Sequence, residues 1–159
     1  MRIGVLAVLL VARVAAADDR VAVDGALEVG VLLATHGKLT ASYAHHFWED
    51  GAYVEARLGA GTTGELLVSE ERLGAGLVFH PRRHVDLTLG WRVGHSRFSG
   101  MLGDAHLAVN LVAIELAVGV AIEVAPGWRV RALPLGPTLY WNRTYAGTIG
   151  FELGVERAF

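Results

Sequence analysis

Residues 114–124 read IELAVGVAIEV, and the parity of this stretch decides the fold. Ile114, Leu116, Val118, Val120, Ile122 and Val124 alternate with Glu115, Ala117, Gly119, Ala121 and Glu123. A period of two puts the first set on one face of a β-strand and the second set on the other. A helix competes for the segment. Leu107 to Val124 is broken only by Asn110, Glu115 and Glu123, a run long enough to cross a bilayer as a helix. The strict alternation, the central Gly119 and the β-branched side chains confined to one face favour the strand.

The same parity continues in both directions. Downstream, Ala125-Pro126-Gly127 turns the chain, and Trp128, Val130 and Ala132 then oppose Arg129 and Arg131. Pro134 and Pro137 cannot donate to a ladder, and the apolar set shifts to Leu133, Leu135 and Leu139, so a bulge is expected near Pro134. The last strand sets Ile149, Phe151, Leu153, Val155 and Phe159 against Gly150, Glu152, Gly154 and Glu156. Upstream, Val85 to Val93 opposes Asp86, Thr88, Gly90 and Arg92, and Leu73 to Phe79 opposes Arg72, Gly74 and Gly76. Ala52 to Leu58 opposes Tyr53, Glu55 and Arg57. Leu39, Ala41, Tyr43 and Phe47 oppose Thr40, Ser42 and His46, and Leu27 to Leu33 opposes Glu28 and Gly30. Eight antiparallel strands result.

Connections alternate in length. Those at 48–51, 80–84 and 125–127 are short, whereas 62–71, 95–113 and 141–147 are expected as longer loops. A short link near His36-Gly37-Lys38 joins the first two strands. Short turns at one end and long loops at the other are the asymmetry of a membrane barrel.

The start of the chain has a different character. Arg2 precedes the apolar IGVLAVLLVA (3–12), and Ala15-Ala16-Ala17 offers a small-residue cleavage site before Asp18. This has the form of an export signal over residues 1–17, with the barrel domain at 18–159, and the apolar stretch is too short to span as a helix. Arg13 departs from the pattern. Without the signal the chain carries twelve bases and sixteen acids, a formal −4. No basic patch supports a nucleic-acid partner. The absence of Cys excludes disulfides, Cys-based zinc sites and thiol chemistry. The 53% hydrophobic content and mean hydropathy of +0.41 are high for a soluble domain.

Charge distribution selects the orientation of the faces. One face of nearly every strand is purely apolar. The other holds Glu28, Glu55, Asp86, Glu115, Glu123, Glu152 and Glu156 with Arg57, Arg72, Arg92, Arg129 and Arg131, and most strand glycines. Apolar faces turned inward would make a soluble, lipocalin-like periplasmic binder. Turned outward they make a lipid-facing band, and the charges meet in a narrow interior where Gly leaves room for long side chains. Buried charges persist there only when paired. Eight strands enclose just enough space for side chains to fill, so the barrel is plugged. Trp48 and Trp128 beside tight turns, with Trp91 and Trp141 near the opposite strand ends, fit two interfacial girdles.

The C-terminal FELGVERAF (151–159) resembles the assembly signal of bacterial outer-membrane proteins through Phe151, Leu153, Val155 and Phe159, with Arg157 departing from it. The chain is similar to the OmpA/OmpX-like eight-stranded barrels and the "outer membrane β-barrel domain" proteins. The resemblance implies an all-β, up-and-down transmembrane barrel in the bacterial outer membrane. It also implies contact with outer-membrane lipid and lipopolysaccharide, and delivery by periplasmic chaperones and the barrel-assembly machinery. A monomer with a structural or surface-interaction role is expected.

Some barrels of the kind the chain resembles modify lipid A, a chemistry that needs a nucleophile and a base. His95-Ser96, near Arg97 and Ser99 with Glu115 as third member, is the candidate, but the His-x-Ser-Asn pattern of the deacylases is missing. Neighbours on a strand also point to opposite faces. His80 and His84 bracket a turn and His45-His46 are adjacent, yet no third ligand stands at a supportive spacing. Arg82 and Arg83 could meet anionic periplasmic groups. Asn142-Arg143-Thr144 is a glycosylation triplet of no weight in a bacterial chain. No catalytic, metal or cofactor residue is assigned.

Overall fold

Alternating side chains give each strand one face for the interior and one for the surroundings, and eight such strands close on themselves. The computed structural model describes residues 19–30, 36–47, 51–64, 66–102 and 104–159. The strands are β1 (Asp19–Gly30), β2 (His36–His46), β3 (Ala52–Thr63), β4 (Leu66–Arg82), β5 (Val85–Leu102), β6 (Ala105–Ala125), β7 (Trp128–Asn142) and β8 (Thr144–Ala158). Each pairs antiparallel with its chain neighbour, and β1 pairs with β8 to complete a barrel. Closure leaves no free edge. The expected export signal at 1–17, Val31 and Leu33, and Trp48 lie outside the described residues.

Both ends of the described chain lie at one rim, where Phe159 N–H donates to the Asp19 carbonyl at 2.9 Å. We call this the near rim; the 83–84 and 126–127 turns share it. Gly127 holds φ at +72°, which a residue with a Cβ adopts only under strain, and its carbonyl accepts from Ala158 N–H at 2.9 Å.

At the far rim the structure corrects the expected loops. Residues 95–113 form no long loop: β5 and β6 run as one unbroken ladder from Val85↔Ile122 to Leu102↔Ala105. Thr62 and Thr63 likewise belong to β3 and residues 66–71 to β4, the two strands staying paired up to Thr63↔Leu66. The 141–147 segment reduces to a turn at Arg143 between the paired Asn142 and Thr144. His36-Gly37-Lys38 is not the link between β1 and β2, since all three residues are already paired in β2. Strand β1 also begins at Asp19, eight residues before Leu27. The rims therefore differ in strand length more than in loop length.

The reason lies in what surrounds each level of the wall. Lower on β5 and β6, Leu89, Trp91, Leu116 and Val118 face outward, 39–55% exposed, with Arg92 and Glu115 inside. Higher up the polarity inverts: His95, Arg97, His106 and Asn110 are exposed while Ser96 and Phe98 are buried. A wall standing in water turns its polar side out, so the apolar alternation changes phase without the strand ending.

The apolar outward run of β6 extends from Val112 to Val124. Its thirteen residues, at about 3.4 Å each and tilted about 40°, rise roughly 30 Å, the thickness of a hydrocarbon core. The expected bulge is present as a register shift between Leu133 and Gly136 on β7. The parity changes after Leu133, which is buried at 3% exposure instead of joining Leu135 and Leu139 outside.

Interior room comes from missing side chains. Tyr53 lies across Gly76 and Gly90; a Cβ at Gly90 would fall 2.4 Å from its hydroxyl oxygen. Gly90→Ala is therefore expected to cost about 1–3 kcal/mol by overpacking, and less in a Tyr53→Phe background. Urea midpoints of the four proteins in a double-mutant cycle check this.

Candidate functional site

The inward positions of the eight strands deliver charge to one axis. Among the described residues, seven basic side chains (Arg20, Lys38, Arg57, Arg72, Arg92, Arg129, Arg131) meet eight acidic ones there. The acids are Asp24, Glu28, Glu55, Glu70, Asp86, Glu115, Glu152 and Glu156. Near-complete compensation is what allows such density, because an unpaired ion in a dry interior would lose its solvation without return.

The pairs span the barrel. Arg57 on β3 binds Glu152 on β8 through both terminal nitrogens, one at 2.7 Å. Arg92 bridges Glu55 through Nε and Glu115 through Nη1 at 2.8 Å. Arg72 holds Glu115 and, at 2.8 Å, Glu70. Lys38 joins Glu28 and Glu70, and Glu28 also accepts from the Tyr140 hydroxyl and, at 3.0 Å, from Thr148. Nearer the near rim a second tier forms. Arg20 reaches Asp86 at 2.8 Å, and Arg131 reaches Asp24 at 3.2 Å and Glu156 at 3.4 Å. Arg129 lies at its margin, 3.6 Å from both Asp86 and Glu156.

Of the twelve charges expected inside, Glu123 is the departure. It sits at the near rim, half-exposed, and pairs with the exposed His84 at 2.9 Å. It lies two residues from the end of β6 at Ala125, where the wall no longer encloses its side chain. Four interior charges lay beyond the sequence reading: Arg20, Asp24, Lys38 and Glu70. Val21, Val23 and Gly25 carry the outward parity of β1 back to Asp19 and were the signal for the first two.

Apolar groups flank the ions. Ala44, Tyr53 and Val78 cluster toward the near rim, where His46 stacks on Tyr53. Beyond the upper tier, Val68 and Phe98 are buried and Phe98 meets Tyr140 edge-on at 6.2 Å. Between the tiers a cavity of about 30 Å³ is lined by Arg20, His46, Tyr53, Glu55, Arg92 and Arg131 among others, room for one or two waters. This is a filled interior, not a ligand chamber.

The outward face is its complement. Leu77, Leu89 and Leu153 are 46%, 46% and 53% exposed, while Arg57 is 1% exposed. The soluble lipocalin-like alternative requires the reverse and is excluded by this orientation. Trp128 lies beside the 126–127 turn and Trp141 beside Arg143, both outward. Trp91 is seven residues into an eighteen-residue strand, not near its end, though the outward face turns polar at His95 above it. Phe151, Leu153 and Val155 face outward on β8, and Phe159, just past its end, is exposed as well.

The candidate chemistry does not assemble. His95 is exposed and Ser96 is buried at 0% exposure on the other face of β5, while Glu115 is engaged by Arg72 and Arg92. His80 bonds Asp86 at 2.6 Å, separately from the His84–Glu123 pair, and His45 bonds Asp19 at 2.7 Å. Among the described residues no three His, Asp or Glu side chains gather around a point where a metal could sit.

A closed eight-stranded ring, apolar outside and ion-paired within, defines a transmembrane β-barrel with a filled interior. Solved structures agree. Neisserial surface protein A superposes with a TM-score of 0.67 at 15% identity, covering 90% of this chain and 97% of that one. The N-terminal β-barrel domain of Pseudomonas aeruginosa OprF gives 0.64 at 11% identity, covering 90% and 99%. The outer membrane enzyme PagL gives 0.57 at 16% identity, covering 86% and 98%. At these identities the likeness is one of fold. No protein-family model matches the chain, nor does any curated protein sequence.

Proposed function

We propose that this chain is a non-enzymatic barrel of the bacterial outer membrane, with its near rim in the periplasm and its longer β4–β6 wall outside. Its role is structural or surface-interacting, carried by the outward face of that raised wall, which meets lipopolysaccharide and other surface molecules. Delivery by periplasmic chaperones and the barrel-assembly machinery goes with this placement. The supporting observation is the inverted layering: an apolar belt outside around a charge-paired ionic core. The lipid A-modifying alternative has the PagL fold in its favour, but His95 and Ser96 stand on opposite faces of β5.

Membrane fractionation with gel electrophoresis of boiled and unboiled samples tests the proposal. The expected result is recovery with outer membranes, extraction only by detergent, and different migration of the unboiled band. A soluble monomer recovered without detergent would overturn it.

A further inference from the structure

Arg157 breaks the alternation of the last strand, and the structure gives that break a geometry. On β8 it faces outward, next to Val155 and two residues from Phe159, and it pairs in register with Trp128 on β7 and Val21 on β1. Its guanidinium carbon lies 5.0 Å from the centre of the Trp128 ring and 5.6 Å from that of Phe159. Among the described residues no carboxylate reaches it, whereas the arginines inside the barrel are matched by acids.

This is an unusual place for a cation. Apolar belt residues adjoin it, Leu153 and Val155 on its own strand and Val130 on the neighbouring one, and the two rings frame it at the level where amphipathic aromatics meet headgroups. Ring contacts hold a guanidinium by cation–π attraction and leave N–H groups at its edge for an acceptor. The acceptor that matches those donors is a phosphate, which an arginine can bind with two parallel hydrogen bonds.

We propose that Arg157, Trp128 and Phe159 form a binding site for the phosphodiester of an anionic phospholipid in the leaflet at the near rim. The occupant is lipid, not free phosphate, because the frame opens on the lipid-facing surface, where acyl chains can lie along Val155 and Val130. The site fixes the depth and tilt of the β7–β8–β1 side of the barrel. It rests on the membrane placement proposed above, which fractionation tests separately.

The test uses the full folded chain in maltoside micelles, which carry no phosphate, with nitrogen-15 labelling. Phosphatidylglycerol is titrated while the Arg157 Nε–H and Trp128 indole N–H resonances are followed. Saturable shifts at both are expected, weakened at least fivefold at Trp128 in R157Q and partly retained in R157K. Diacylglycerol and millimolar inorganic phosphate should produce neither. Unchanged resonances of the interior around Tyr53 show that R157Q is folded. Absence of saturation, an equal Trp128 response in R157Q, or an equal response to diacylglycerol or inorganic phosphate would each overturn the proposal.

Discussion

Arg92→Met is expected to destabilise the barrel by about 3–5 kcal/mol, the cost of leaving buried carboxylates without their partner. Arg92 is 2% exposed and binds Glu55 and Glu115, with Glu152 at 3.5 Å. Methionine replaces the volume but none of the charge, so Glu55 loses the guanidinium that binds it and Glu115 keeps only Arg72. Adding Glu55→Gln should recover part of the loss. Arg97, five residues along the same strand, is exposed above the apolar band, and Arg97→Met should stay within about 0.5 kcal/mol. Urea titration of the folded fraction in lipid vesicles measures all three. Equal stability of the Arg92→Met and unsubstituted chains would remove the ionic core as a source of cohesion.

The outward face gives the second large effect. Val118 stands at the middle of the Val112–Val124 run of β6 and is 39% exposed. If that surface contacts acyl chains, Val118→Arg should cost about 2–4 kcal/mol, against about 0–1 kcal/mol for Val124→Arg at the near rim. The depth dependence matters more than the size. Water around the barrel would leave the two variants alike, so a flat profile in the same vesicle titration would deny lipid contact.

Much of this architecture was legible in the sequence because the lipid-spanning part of each strand obeys one rule. Wherever an apolar solvent lies outside, as along Ile114–Val124, large aliphatic residues and ions occupy opposite parities. The rule failed where the solvent changes. Above Ser96, at Phe98 and Val68, the interior becomes neutral and the exterior polar, and a reader of parity takes the phase change for a loop. Glu70 was lost for the same reason, inside a segment that looked like a polar connection. Lys38 sits in a His36-Gly37-Lys38 stretch with the composition of a turn, although Leu39 and Ala41 already set the outward parity of its strand. Pairing could not be read from sequence at all, because Arg57 and Glu152 are 95 residues apart and meet only across the axis.

Those transverse contacts set the order in which the molecule can be made. Arg57 finds Glu152, Tyr140 finds Glu28, and Arg20 finds Asp86 only when the first and last strands have come into the same ring. An incomplete sheet leaves these particular ions without their cross-barrel partners, so each hairpin added before the seam shuts raises the energy of an open intermediate in lipid. Sealing β1 against β8 discharges that tension in a single event. Tearing the final strand away would in turn take Glu152 from Arg57 and Glu156 from Arg131 at once, which favours all-or-none disassembly over gradual peeling.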